Sequence, residues 1–324
     1  MNIEDVWVCY REDLKKVEAH LQENLESHVP LIMQIGNHLL LSGGKRLRPL
    51  IVILSSKLCR YHGDTGTCLA GIVEFIHTAS LLHDDVIDRA EIRRGKPVAN
   101  SIWGDEASIL VGDYLYSKAL NLAVGLKNQR IMHTLSEATT TMSEGQVFEL
   151  LKTNNPDITE EEYLIMVQKK TAALISACCR VGAIIGEAHN EEEESLASYG
   201  MNLGMAFQLA DDVLDYSADE IKLGKTLGKD LDEGKITLPL IHLLKSGTSE
   251  EIEGIKEIIR DNGFKPDSLG FILRLMNKYN SMNYCLNKAK GYLTNAKEAI
   301  AHFKDTPPKQ ALFAVADYII DRDK

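Results

Sequence analysis

The stretch Phe75–Asp88 reads FIHTASLLHDDVID and closes a mostly apolar run that begins near residue 67. Ile72, Val73, Phe75, Ile76, Ala79 and Leu82 belong to this run, which leaves no broad polar face before the acidic end. Such a pattern predicts a helix buried within a fold, over about 67–89. At its end Asp84, Asp85 and Asp88 crowd into five residues, with Arg93 and Arg94 just beyond. Like charges four apart stack on one helical face and repel, and a helix C-terminus disfavours anions further. A compensating cation is required.

The pattern recurs. Gly204–Tyr216 reads GMAFQLADDVLDY, so Asp211 and Asp215 repeat the spacing of Asp84 and Asp88 at the end of a second mostly apolar run. One such cluster is common at charged helix ends; two, each closing an apolar helix, call for a shared explanation. Helix N-caps would sit at helix starts, which these do not. Oxygen-only ligands without Cys or paired His suit a hard ion, Mg²⁺ or Mn²⁺. Mg²⁺ takes few protein carboxylates and completes its shell with water and phosphate. Cations for that phosphate lie nearby: Lys45, Arg46 and Arg48 in GGKRLRP at 43–49, Arg93 and Arg94, and Lys222, Lys225, Lys229 and Lys235. The first of these segments lacks the spacing of a Walker loop.

The rest of the chain is helical in period. Helices are predicted over 5–27, 30–41, 105–126, 129–153, 159–187, 194–216, 236–245, 249–262, 266–278, 280–302 and 308–321, with a capping box at Thr159 and Glu162. The acidic stretch 187–194 reads as a solvated connection. With 23 glycines and 8 prolines in 324 residues, turn-forming residues are sparse, which favours long helices. No composition break divides the chain, so one domain over 1–324 is expected. A net charge of −11 excludes a general basic footprint for nucleic acid. Six cysteines without a CxxC pair read as reduced thiols. The charged start lacks the apolar core of a signal peptide, and no run reads as a bilayer span of about 20 residues. The expectation is a soluble, cytoplasmic protein.

Taken together, GGKRLRP at 43–49, FIHTASLLHDDVIDRAEIRRG at 75–95, GQ at 145–146, KT at 170–171, GMAFQLADDVLDY at 204–216 and LGKDLDEGKITLP at 227–239 resemble the trans-type polyprenyl diphosphate synthases. The motifs fall in family order over residues 30–245. The resemblance implies an all-α, single-domain bundle of about ten or more helices around a central cavity. It implies a Mg²⁺-dependent prenyltransferase that joins isopentenyl diphosphate head to tail to an allylic prenyl diphosphate, usually as a homodimer. Two or three Mg²⁺ ions, or Mn²⁺, would be held by Asp84, Asp85, Asp88, Asp211 and Asp215. Arg93, Lys170, Lys225 and Lys235 correspond to clamps for the allylic diphosphate, and Lys45, Arg48, His77 and Arg94 to the isopentenyl diphosphate site. Lys170, Thr171 and Gln208 match the positions that line the reacting carbons.

Product length follows from the same comparison. Ala79 and Ser80 lie one turn upstream of Asp84, where relatives making short products carry a bulky aromatic. Small side chains here also suit close helix packing, but their match to the length-setting site favours a long all-trans product (C35–C50), with octaprenyl central. So apolar a product implies transient membrane contact on release. Alternatives are a short-chain farnesyl or geranylgeranyl synthase and the catalytic subunit of a heteromeric long-chain enzyme. A terpene cyclase would carry Asn, Ser or Thr and Glu in its second motif, against DDVLD here.

Overall fold

The computed structural model describes residues 1–40, 44–93, 95–217, 228–260 and 266–321. Arg94, Lys222 and Lys225 lie outside these residues, as does Gly43. Apart from two two-residue strands, the regular structure described is helical, and the all-α expectation holds. The chain groups into two compact units. The first comprises Met1–Thr139, Leu174–Gly200 and Ala299–Val315; the second comprises Thr140–Ala173, Met201–Glu298 and Ala316–Lys324.

In the first unit, α1 (Ile3–Cys9) starts on a capping box in which Asp5 N donates to Asn2 Oδ1 at 2.8 Å. The single helix expected over 5–27 is two, because Tyr10 breaks the helical dihedrals between α1 and α2 (Arg11–Leu25). There follow α3 (Pro30–Leu40), α4 (Leu47–Leu58) and α5 (Thr65–Ile87). Strands β1 (Ile92–Arg93) and β2 (Lys96–Pro97) pair antiparallel, Arg93 opposite Lys96, with Gly95 at φ 72° in the turn. Then come α6 (Ala99–Trp103) and α7 (Asp105–Gly125).

Helix α5 is the spine of this unit, packed against α7, α4 and α2. By length and hydropathy it could cross a bilayer, which the sequence reading passed over. Yet 67% of its apolar stretch is buried, as expected of the core helix of a folded unit. Each fully buried Ile, Leu or Phe on it contributes about 1.5–3 kcal/mol of transfer free energy. One partly open seam carries His77, Ser80, Asp84 and Asp88 at spacings of three and four; Ile87, near the end of the helix, is exposed as well.

The second unit takes in the later part of α8 (Gln129–Lys152), then α9 (Glu160–Val167) and a π turn at Gln168–Ala172; with α10 (Ala173–Ile185) the chain returns to the first unit, to which the start of α11 and most of α17 also belong. The expected capping box opens α9: Glu162 N donates to Thr159 Oγ1 and Thr159 N to Glu162 Oε2. Helix α11 (Asn190–Ser217) begins four residues earlier than expected. The acids read as a solvated loop form its first turn, where the helix dipole favours them. Glu193 is buried there and held by Arg130 and Arg180. The remaining helices are α12 (Lys229–Asp232), α13 (Leu238–Ser246), α14 (Ser249–Arg260), α15 (Pro266–Lys278), α16 (Ser281–Ala299) and α17 (Pro307–Asp321).

Candidate active site

The open seam of α5 carries the first cluster. Asp84 and Asp88 are half-buried one turn apart, and Asp88 N donates to Asp84 O at 2.8 Å. Asp85 points the other way. It is 0% exposed, and its Oδ1 accepts from Arg93 Nε at 2.9 Å and Nη2 at 2.7 Å. Burial works to discharge Arg93. The hydrogen bonds and charge of Asp85, reinforced by Asp84 and Asp88, outweigh it and hold the guanidinium above its ordinary value. Asp85 Oδ2 is buried with no hydrogen-bond partner among the described residues.

On the same seam, His77 Nε2 lies 3.1 Å from Arg48 Nη1. A guanidinium only donates, so Nε2 accepts and the imidazole proton resides on Nδ1. Lys45 is exposed just before α4. Arg46, grouped with the phosphate-binding cations on sequence, turns inward instead. Its backbone is left-handed (φ 46°), and its guanidinium donates to Glu74 Oε1 at 2.6 Å and to Leu40 O. Ala79 and Ser80 also part company. Ala79 is 0% exposed, whereas Ser80 sits on the open seam with its hydroxyl donating to His77 O at 2.8 Å.

The second cluster belongs to the second unit. A cavity of about 100 Å³ is lined by Lys170, Thr171, Gln208 and Lys235, four residues anticipated from sequence, together with Asp212 and Asp230. Lys170 and Thr171 stand on the π turn, a wider turn that frequently occurs at functional sites. Two glycines make room for it. A Cβ on Gly145 would lie 2.6 Å from Lys170 N, and one on Gly204 would lie 2.5 Å from Ala172 Cα. Any larger residue would push α8 or α11 off the turn, which accounts for glycine in both motifs.

On α11, Gln208, Asp211 and Asp215 lie on the partly open side, while Asp212 is 1% exposed. Asp212 Oδ1 accepts from Gln208 Nε2 at 2.9 Å and Oδ2 from the Tyr163 hydroxyl; Thr171 Oγ1 donates to Gln208 Oε1 at 2.9 Å. Burial lifts the Asp212 carboxyl to about 7, against the pull of those hydrogen bonds. Asp215 Oδ2 accepts from Asp230 N at 3.0 Å. Burial, and then the charges of Asp215 and Asp212, push Asp230 well above the carboxylate range. Lys170 pairs with Glu149, and Lys235 with Glu233 at 2.8 Å.

Sequence reasoning overlooked Tyr163, Asp212, Asp230 and Glu149. Asp212 and Asp230 carried a signal, as the second residue of DDVLD and as part of LGKDLDEGKITLP; Tyr163 and Glu149 carried none. Among the described residues, no three His, Cys, Asp or Glu side chains converge tightly enough to hold an ion alone. The donor set still fits a hard divalent cation. Its half-buried carboxylates, Asp84 with Asp88 and Asp211 with Asp215, offer only oxygens, and such an ion brings water and phosphate to complete its shell.

Comparison with known proteins agrees. Residues 29–276 match the family described as polyprenyl synthetase. The chain is 40% identical to octaprenyl diphosphate synthase of Escherichia coli (strain K12) over 324 residues, covering 100% of each. It superposes on a decaprenyl diphosphate synthase from Rhodobacter capsulatus with a TM-score of 0.94, at 38% identity over 99% of each chain. A polyprenyl synthase from Caulobacter crescentus CB15, complexed with calcium and isoprenyl diphosphate, superposes with a TM-score of 0.96 at 35% identity, covering 100% of this chain and 98% of that one. An all-α fold, two helices whose apolar runs each close on half-buried aspartates, and a family match across most of the sequence converge: the chain belongs to the polyprenyl synthetase family.

Proposed function

We propose that this prenyltransferase condenses isopentenyl diphosphate with an allylic prenyl diphosphate, head to tail, into a long all-trans polyprenyl diphosphate, heptaprenyl to decaprenyl with octaprenyl central. The observation that carries the reading is the 40% identity, over the whole of both chains, to an octaprenyl diphosphate synthase, joined to a small Ser80 on the open seam below Asp84.

In this reading both units act as one catalytic domain. Lys45, Arg48, His77 and Arg94 hold isopentenyl diphosphate; Arg93, Lys170, Lys225 and Lys235 hold the allylic diphosphate. Arg grips phosphate bidentately, and Lys acts as a point charge. Two or three Mg²⁺ ions, or Mn²⁺, held by Asp84, Asp88, Asp211 and Asp215 with Asp85 behind them, would neutralise charge developing on the departing diphosphate. The cationic side chains share that task as the allylic C–O bond ionises. The isopentenyl double bond then attacks the allylic carbon, and loss of a proton to the released diphosphate restores an alkene. Thr171 and Gln208 face the reacting carbons, and the apolar helices keep water out.

A homodimer is part of the proposal. In the first unit α7 exposes Ile109, Leu110, Leu120 and Val124, and in the second α8 exposes Val147, Leu150 and Leu151. Apolar surface of this kind marks an interaction face; sedimentation should report twice the chain mass. The enzyme is expected in the cytoplasm, with transient membrane contact on product release. The deciding experiment incubates purified protein with Mg²⁺, farnesyl diphosphate and radiolabelled isopentenyl diphosphate and sizes the products. Chains of seven to ten isoprene units support the reading; farnesyl or geranylgeranyl products alone overturn its length.

A further inference from the structure

The two acidic motifs share a pattern that their spacing does not advertise. In each, the outer aspartates are half-buried while the second is enclosed. Asp85 is taken by Arg93, and Asp212 by neutral donors, the Tyr163 hydroxyl and the Gln208 amide. Tyr163 is fully buried. Burial holds its phenol well above its ordinary value, so it keeps its proton and donates.

Both oxygens of Asp212 accept, Oδ2 from the Tyr163 hydroxyl and Oδ1 from the Gln208 amide. Gln208 therefore turns its NH₂ to Asp212 Oδ1, which leaves its carbonyl oxygen toward Thr171. The only role open to the Thr171 hydroxyl is then to donate, as the 2.9 Å contact to Gln208 Oε1 records. With its proton committed, the Thr171 oxygen offers lone pairs in its remaining directions. Aligned donors of this kind polarise one another in a buried setting. Where positive charge develops on a reacting carbon, the negative end of a fixed dipole is the stabilising one.

We propose that Tyr163 and Asp212 are positioning residues for the prenyl transfer: they fix the Gln208 amide and thereby aim the lone pairs of Thr171 at the reacting carbons. Asp212 is in this respect unlike Asp211 and Asp215, and serves as an anchor within the protein. The proposal rests on the placement of Thr171 beside the reacting carbons in the function proposed above.

The test is a coupling measurement. Tyr163→Phe removes one oxygen from the end of the chain farthest from substrate. It should lower kcat about tenfold, the scale of one hydrogen bond, with KM for both diphosphates and the Mg²⁺ concentration at half-maximal rate unchanged. Calorimetric binding of a non-ionising thio analogue of the allylic diphosphate, with Mg²⁺, should match wild type. In a Thr171→Val background, Tyr163→Phe should have no further effect on kcat. Independent, multiplying losses would overturn the relay, as would a shift in the Mg²⁺ dependence of Asp212→Asn without any effect of Tyr163→Phe. Should the Phe variant melt well below wild type, Gln208→Met in the same cycle reads the same coupling. A wild-type enzyme without prenyl transfer would refute the proposed function instead, which separates the two failures.

Discussion

Arg93 closes on Asp85 with two N–H groups directed at a single carboxylate oxygen, 2.9 and 2.7 Å away. The β1–β2 hairpin thus ties back to the end of α5, and Arg93 has a structural duty besides the phosphate contact proposed for it. Arg93→Ala would strand a buried carboxylate at a cost of about 3–5 kcal/mol. Urea denaturation of ligand-free protein should show that loss. A purely phosphate-binding arginine would leave the ligand-free midpoint where it was.

Asp84 and Asp88 make the opposite prediction. Both sit on the open seam, so Asp84→Ala should cut turnover by about two orders of magnitude or more while the ligand-free melting curve barely moves. EDTA should abolish wild-type activity, and added Mg²⁺ should restore it. Full turnover in chelator would end the metal assignment.

Arg48 donates to His77 and is assigned to isopentenyl diphosphate. Losing a charge-assisted contact of about 1.5–3 kcal/mol corresponds to roughly 10–150-fold. Arg48→Ala should raise KM for isopentenyl diphosphate by that factor and leave KM for the allylic substrate near wild type. Steady-state kinetics with each substrate varied in turn will show which one responds.

Product length is better probed at Ser80 than at Ala79. Ser80→Phe places a ring on the open seam one turn from Asp84, so chain growth should stop early and shorter prenyl diphosphates accumulate. Ala79 is fully enclosed. Ala79→Tyr should therefore act mainly by overpacking, costing about 1–3 kcal/mol. Product sizing alongside thermal melting separates the two effects; an active Ser80→Phe enzyme making the wild-type product would place the growing chain elsewhere.

Much of this was legible in the residues. The all-α fold followed from helical periodicity along the chain and from the apolar runs of α5 and α11, each of which closes on a pair of half-buried aspartates. The capping box at Thr159 was readable because its two partners are local. What escaped depended on side-chain direction or distant partners. Asp85 and Asp212 look like their neighbours in sequence, and only the packed helices turn them inward. Arg46 resembles a phosphate clamp until Glu74, 28 residues on, claims it. Tyr163 is an ordinary helical tyrosine until α11 is laid beside it. The break at Tyr10 and the early start of α11 are matters of one helical turn, where periodicity has little resolving power.

The wide turn at Gln168–Ala172 amounts to one surplus residue threaded into an otherwise regular helix. Eight residues separate Tyr163 from Thr171, a sweep of about 800° at the α-helical pitch, or about 80° beyond two full turns. The surplus residue absorbs about 100° of that, so the two hydroxyls stay in phase despite the added length. What it adds is a second address: the adjacent Lys169 and Lys170 both reach glutamates on α8, Glu144 and Glu149, five positions apart. Deleting Lys169 should let the turn relax to regular helix with its flanks still aligned. The protein would then lose a cation and keep its fold.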